Sequence, residues 1–121
     1  MTITAKEFIK KNADILLAPI TKPAFEQLTD GCVVFIITTT PGQKDIKERA
    51  VRNAGYYLVV SKSKNHLGQT VDITAIGLTA GGYAKVECFD LNDIEYERNK
   101  MVFLCKPLPQ NDMRRNYHFL R

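Results

Sequence analysis

Closely spaced cations are the first group of residues in this chain whose types and spacing could do chemistry. Between positions 44 and 64 the sequence places six basic residues against two acidic ones. Lysine and arginine side chains in such a run can hold a phosphate backbone. A solvated helix face explains the same residues, because Lys44–Glu48 and Asp45–Arg49 stand at the i,i+4 spacing of helical ion pairs. The binding interpretation selects Lys44, Lys47, Arg49, Arg52, Lys62 and Lys64.

The end of the chain interleaves cations with rings. Aromatic rings stack on unpaired bases while arginine holds phosphate, so this composition suits a single-stranded nucleic acid. Rings that pack against a neighbouring subunit while the arginines stay hydrated would give the same composition. A third interpretation is an ordinary docked terminus that ends in a helical turn, because Met113, Tyr117 and Leu120 stand at helical spacing. The candidate binding residues of this segment are Arg114, Arg115, Tyr117 and Phe119.

A second candidate is an anion site at the break that follows the most apolar run of the chain. If a helix starts there, its free N–H groups would favour a phosphate. The residues that would form the site are Thr40, Gly42, Gln43 and Lys44. The string matches neither G-x-x-x-x-G-K-[ST] nor G-x-G-x-x-G. A Pro-Gly turn that precedes a helix is the alternative interpretation.

The sequence holds little that predicts an enzyme. A general acid–base pair for phosphodiester cleavage could be assembled from Arg52, His66 and Asp72, which only their proximity in sequence supports. No pattern indicates a cofactor or a metal. The three cysteines stand 56 and 17 positions apart, which is typical neither of a disulfide framework nor of a zinc ribbon.

Composition bounds the class of protein. The chain has 121 residues, of which 45% are hydrophobic and 25% charged, with a net charge of +4, as in ordinary globular domains. These fractions exclude wholesale disorder, and no run is long enough for a membrane span. The start lacks the order of a signal peptide, and the unpaired cysteines suit a reducing compartment. We therefore expect one cytoplasmic domain without a membrane partner.

Hydrophobic periodicity predicts the elements that must position these residues. Positions 1–18 are predicted to form an amphipathic helix, which Thr4 and Glu7 begin with a capping box. A short helical turn is predicted from Thr21, with Gly31 after its end. The run from Cys32 to Thr39 is apolar on both faces and predicts a buried central strand.

The segment 44–53 is ambiguous. Ile46, Ala50 and Ala54 recur every four residues, which favours a short second helix, and an irregular loop is the alternative. A helix there would make the first two strands a parallel pair. Further strands are predicted over 56–61, 70–78, 83–91 and 101–105. The fold class is therefore α+β, with a mainly antiparallel sheet over 31–105 and a tail over 110–121.

Four strand sequences carry a family resemblance. The segments DGCVVFI, YYLVVSKSKN, TVDITAIGLT and NKMVFLCKPLP resemble, in order, the strands of the MazF/PemK-like ribonuclease toxins over about residues 30–105. Those toxins place an arginine, usually with a proline, directly before the second strand. Gly55 and Tyr56 stand there in this chain, and Arg52 lies three residues earlier.

Together these patterns predict a small basic protein that acts by binding rather than by catalysis. The expected partners are a protein or a second copy of the chain, a nucleic acid, or a small phosphate ligand at the turn from Thr40 to Lys44. A small phosphodiesterase or ribonuclease is the alternative function.

Overall fold

A computed structural model describes residues 3–78, 84–96, 98–105 and 117–118, with the side chains of residues 78, 84, 117 and 118 excepted. Within these ranges the chain is α+β. The helices are α1 (Ala5–Lys11), α2 (Lys22–Gln27) and α3 (Leu91–Tyr96), and a 3₁₀ turn spans Ile46–Glu48. The strands are β1 (Leu16–Pro19), β2 (Val33–Thr39), β3 (Val51–Lys64), β4 (Thr70–Leu78), β5 (Ala84–Asp90), β6 (Lys100–Cys105) and β7 (Tyr117–His118). No helix of the described part is long and apolar enough to cross a membrane.

All strands belong to one antiparallel sheet, in the order β1-β6-β2-β3-β4-β5, with β7 paired to β3. The predicted central strand is β2, whose β-branched and aromatic residues suit a pleat that is covered on both sides. Phe35 and Ile37 face one side, Val34 and Ile36 face the other, and each of the four is at most 1% exposed. The prediction of a buried central strand is confirmed.

Two apolar clusters lie on opposite faces of the sheet. One packs α1 and the 3₁₀ turn on β2 and β6 through Phe8, Ile46 and Met101. The other packs Phe25 of α2 on Phe89 of β5, with ring centroids 6.0 Å apart. The helices α2 and α3 therefore cover one face, and α1 covers part of the other.

The predicted helix over 1–18 is too long. Its capping box is present, since the Thr4 hydroxyl accepts a hydrogen bond from the Glu7 amide at 3.2 Å and the Glu7 carboxylate accepts one from the Thr4 amide at 3.2 Å. The helix ends at Lys11, and residues 16–19 form β1. Leu16 is still buried, because it belongs to the apolar cluster beneath α1, and its backbone pairs with Cys105 at the end of β6. Pairing with a strand near the other end of the chain overrides the local helical spacing.

The short second helix predicted over 44–53 is also wrong. Only Ile46–Glu48 is helical, as one 3₁₀ turn, and β3 already begins at Val51. The recurring small residues serve other contacts: Ala50 forms a bridge with Thr4, and Ala54 is buried in the cluster beneath α1. Without the helix the first two predicted strands form an antiparallel pair, not a parallel one.

Two smaller predictions also differ from the structure. The connection predicted after residue 91 contains α3, and the turn from Thr21 is α2, which ends at Gln27 well before Gly31. Gly31 instead has a φ of +94° in the turn that leads to β2. The predicted connection around Gly81 lies outside the described residues.

The sheet curls around the face that α2 and α3 cover. In the sheet order β2, β3 and β4 separate β5 from β6, so a flat sheet would hold the two strands roughly 19 Å apart. Lys100 of β6 nevertheless reaches Glu87 of β5, with Nζ 3.1 Å from the carboxylate oxygen. We call this inner surface the concave face.

Candidate nucleic-acid interface

The Arg49 guanidinium joins two connections that are far apart in the sequence. Its Nε donates to the Lys44 carbonyl oxygen at 2.8 Å, and its Nη1 donates to the Arg98 carbonyl oxygen. The first contact orders the loop between β2 and β3, and the second fastens that loop to the segment between α3 and β6. The backbone bond from the Thr39 amide to the Asn99 carbonyl, 2.8 Å long, holds the same two segments together.

These contacts gather cations at one end of the sheet, where β2 ends and β3 and β6 begin. We call this region the basic end and define it by residues 44–52, 85–87 and 98–100. It holds seven basic residues against three acidic ones. The bases are Lys44, Lys47, Arg49, Arg52, Lys85, Arg98 and Lys100, and the acids are Asp45, Glu48 and Glu87.

Glu87 forms an ion pair with Lys100. Both side chains are 15% exposed, and the Lys100 ammonium also donates to the Cys88 carbonyl at 2.7 Å. Lys85 stands two residues before Glu87 on the same face of β5. Burial lowers the pKa of Lys85, the negative charge of Glu87 raises it, and the positive charge of Arg52 lowers it. Arg52 and Lys85 therefore lie near enough to repel each other, and an anion between them would relieve that repulsion.

Tyr57 closes the concave face beside these charges. Burial first, and the charge of Glu87 second, raise the pKa of its phenol far above the ordinary value of 10.0. The ring lies over Gly77, where an added Cβ would stand 3.0 Å from two ring carbons. The Tyr57 phenol is therefore neutral at pH 7, and its ring forms part of the wall of the concave face.

The structure separates the six mid-chain cations predicted to act together. Lys44, Lys47, Arg49 and Arg52 lie at the basic end. Lys62 and Lys64 lie at the far end of β3, a path of roughly 40 Å along the 14-residue strand. There the Lys62 ammonium donates to the Glu26 carbonyl at 3.4 Å. The ion pairs expected within 44–49 do not form between the described side chains, since Arg49 bonds to backbone carbonyls instead.

The structure also does not form the other two predicted sites, the anion site and the catalytic group, as expected. The predicted anion site, Thr40, Gly42, Gln43 and Lys44, precedes only a three-residue 3₁₀ turn, so the helix N-terminus on which it depended is missing there. The predicted catalytic group is not brought together either: Arg52 lies at the basic end, whereas Asp72 pairs with Ser63 near the far end of β3 and His66 follows in the loop beyond it.

The tail reaches the basic end through its backbone. In β7, Tyr117 pairs with Ala54 and His118 pairs with Asn53, the residue after Arg52. Arg114, Arg115 and Phe119 lie outside the described residues. A helical turn was expected around Tyr117, but this residue is in a strand.

Sequence reasoning missed Lys85, Arg98 and Lys100. Lys85 and Glu87 alternate with Val86 and Cys88, and this pattern usually places the apolar pair inside. Here the charged pair faces the concave side, while Val86 is 58% exposed. The one available signal was Phe89, a large apolar residue that is buried. Lys85, Glu87 and Phe89 are alternate residues of the strand, so they lie on the same face.

The described side chains form no metal site, and the comparisons with known proteins identify no family. Within the described ranges no three His, Cys, Asp or Glu side chains are grouped as metal ligands would be. Comparisons of the chain with protein-family models, with curated proteins and with solved structures find no match.

Proposed function

We propose that this protein is a non-enzymatic factor that binds nucleic acid through the basic end. The observation that carries the proposal is the pair of Arg49 contacts to the Lys44 and Arg98 carbonyls, which hold two cation-bearing segments, 44–52 and 98–100, against each other. Phosphate contacts of this kind supply affinity without sequence preference and release counterions. The electrostatics around Lys85 and Arg52 support the same proposal, because their repulsion favours an anionic ligand.

The tail supports a single-stranded ligand. Because Tyr117 and His118 of β7 pair with Ala54 and Asn53, their backbone lies next to Arg52, and the sequence around these two residues carries cations and rings. Unpaired bases would stack on such rings, whereas a duplex hides its base faces. We therefore expect single-stranded RNA or DNA to bind more tightly than a duplex of the same length.

The test is fluorescence anisotropy with a labelled mixed-sequence single strand at 50 and 200 mM salt. If four cations each neutralise one phosphate, the Kd rises about 50-fold over that range. The double variant Lys44→Gln/Lys47→Gln is compared with Lys62→Gln/Lys64→Gln. Each removes two charges and lowers the net charge from +4 to +2, so only the position of the loss differs.

The variant at the basic end should weaken binding and reduce the magnitude of the salt slope by about 1.4 for a single strand, because two phosphate contacts are lost. The variant at the far end of β3 should bind like the wild type. Equal weakening by both variants would show that net charge alone is responsible. That result, or no binding at 50 mM salt, would overturn the proposal.

A second candidate function is that of a subunit in a self-assembly. One row of cross-strand neighbours, Val33, Leu58, Ile76 and Val86, lies on the face opposite the concave one. Leu58 is 37% and Val86 58% exposed, and exposed apolar patches often mark protein contacts. Light scattering would give a multimeric mass that Val86→Lys reduces to that of one chain. A monomeric wild type excludes this second candidate and leaves the nucleic-acid proposal intact.

A further inference from the structure

An apolar cleft of about 450 Å³ opens beside the basic end, between α1, β1, α3 and the 3₁₀ turn. Its volume lies in the range of ligand sites in proteins, roughly 300–1,000 Å³. Met101 and Phe103 of β6 line it together with Ile9 of α1, Leu17 of β1 and Ile94 of α3. Leu17 is 57% exposed, so a large apolar side chain of the cleft faces solvent.

The cleft exists because β1 is short. The strand pairs only with the end of β6, from Phe103 to Cys105, so the beginning of β6 near Met101 has no neighbouring strand on that side. The helices α1 and α3 contribute Ile9 and Ile94 to the lining of the cleft.

Lys47 is the charged residue among those that line this cleft. Within the described part of the chain it forms no ion pair. A second, smaller depression adjoins the first and shares Ile9 and Lys47 with it, and Lys6, Asp45 and Glu48 complete its lining. The large cleft thus combines an apolar interior with one uncommitted cation, and the nearby carboxylates of Asp45 and Glu48 line only the smaller depression.

We propose that this cleft binds a small amphipathic anion, with its alkyl chain against Met101 and Phe103 and its carboxylate on Lys47. Burial of alkyl groups supplies most of the affinity, because each methylene removed from water adds a favourable contribution. The cation selects an anionic head over a neutral one. The inference uses one residue of the basic end but does not depend on nucleic-acid binding.

The test compares octanoate with 1-octanol, which has the same chain length and no charge, by isothermal titration calorimetry. We expect one octanoate per chain and about two- to fivefold weaker binding of the alcohol, the range for one partly exposed ion pair. Lys47→Gln should weaken octanoate to the level of octanol and leave octanol unchanged. If Lys47→Gln leaves the preference for octanoate intact, the assigned counter-ion is wrong.

Matched tryptophan substitutions test whether the ligand binds in this cleft. Ala13→Trp fills the cleft from an exposed lining position and should abolish binding of both ligands. Leu67→Trp, at a residue that is 70% exposed in a distant loop, should bind like the wild type. Circular dichroism melts of both variants confirm that each is folded. Unchanged binding by Ala13→Trp, or no heat with octanoate in the millimolar range, overturns the proposal.

A lipid surface also presents alkyl chains and anionic heads, so the last part of the experiment uses vesicles. The proposal commits to a free amphiphile, because the cleft lies between secondary-structure elements and does not project as an apolar face. Any sedimentation with phosphatidylglycerol vesicles should come from the basic end, weaken with salt and be the same for the wild type and Ala13→Trp. Co-sedimentation that Ala13→Trp abolishes would assign the cleft to a membrane lipid and overturn the inference.

Discussion

The ammonium of Lys100 lies 3.1 Å from a carboxylate oxygen of Glu87 and 2.7 Å from the Cys88 carbonyl oxygen. The Lys100 side chain therefore joins β6 to β5 across the concave face. It also occupies the Cys88 carbonyl, a backbone acceptor of the edge strand β5. Exposed strand edges invite pairing with other chains, and a lysine at the edge discourages it. The contact fixes the curl of the sheet and protects β5.

Removing Lys100 should therefore cost stability. We expect Lys100→Met to lower the free energy of unfolding by about 2 kcal/mol, since it leaves the carboxylate of Glu87 mostly buried and unpaired. Urea denaturation measures the loss. The double variant Lys100→Met/Glu87→Gln should recover part of it, and additive effects of the two substitutions would show that the ion pair contributes no coupling.

Gly77 permits close packing between β3 and β4. A Cβ at this position would stand 2.8 Å from the Tyr56 carbonyl oxygen and 3.0 Å from the Tyr57 ring. Gly77→Ala should therefore lower the free energy of unfolding by about 1–3 kcal/mol, because the backbone oxygen cannot move aside. The matched substitution is Gly42→Ala, where nothing lies within 4 Å of the added carbon. It should leave the urea midpoint unchanged or slightly raised; equal losses at both glycines would contradict the packing argument.

Much of the fold could be predicted because local patterns and tertiary contacts agree there. The β-branched residues of β2 form a strand, and Thr4 with Glu7 begins α1 as expected. Where the two disagree, the tertiary contact prevails. Leu16 and Leu17 have helical spacing after α1, yet Leu16 pairs with Cys105, 89 positions later in the chain. No property of residues 12–19 reports that partner.

The site could be predicted only in part for the same reason. Lys44, Lys47, Arg49 and Arg52 are neighbours in sequence and stay neighbours in the fold. Their companions Lys85, Arg98 and Lys100 come from other elements and join them through the curl of the sheet and the Arg49–Arg98 contact. Lys62 and Lys64 leave the group because the sequence VRNAG begins β3 as a strand, with a register shift opposite Thr38 and Thr39. A helix there would have kept them closer.

The capping box of α1 makes stability depend on pH. Hydrogen bonds from the Thr4 backbone amide and hydroxyl lower the pKa of the Glu7 carboxyl below its ordinary 4.5. A lowered folded-state pKa stabilises the protein above the unfolded value, and this contribution is lost as the pH falls through the folded value. Wild type should therefore melt at a higher temperature than Glu7→Gln at pH 7, and the difference should shrink as the pH falls below 4.5.

The control for this prediction keeps the capping oxygen. Thr4→Ser retains both hydrogen bonds to Glu7 and should preserve the pH dependence, whereas Thr4→Ala should weaken it. A difference between wild type and Glu7→Gln that stays constant from pH 7 to pH 3 would show that Glu7 acts through packing rather than through its charge.

The cysteines should differ in reactivity because their surroundings differ. The side-chain hydroxyl of Thr29, 3.3 Å from the sulfur, and then its backbone lower the pKa of Cys32, whereas burial raises the pKa of Cys105 to about 11. At pH 7.5 the thiolate fraction of Cys32 therefore exceeds that of Cys105, and this difference outweighs the weaker intrinsic nucleophilicity of a thiol with a lower pKa. Iodoacetamide should therefore modify Cys32 several-fold faster than Cys105, measured by peptide mass spectrometry. Thr29→Val should slow Cys32 and leave Cys105 unchanged; similar rates at the two thiols in the wild type would refute the assigned hydrogen bond.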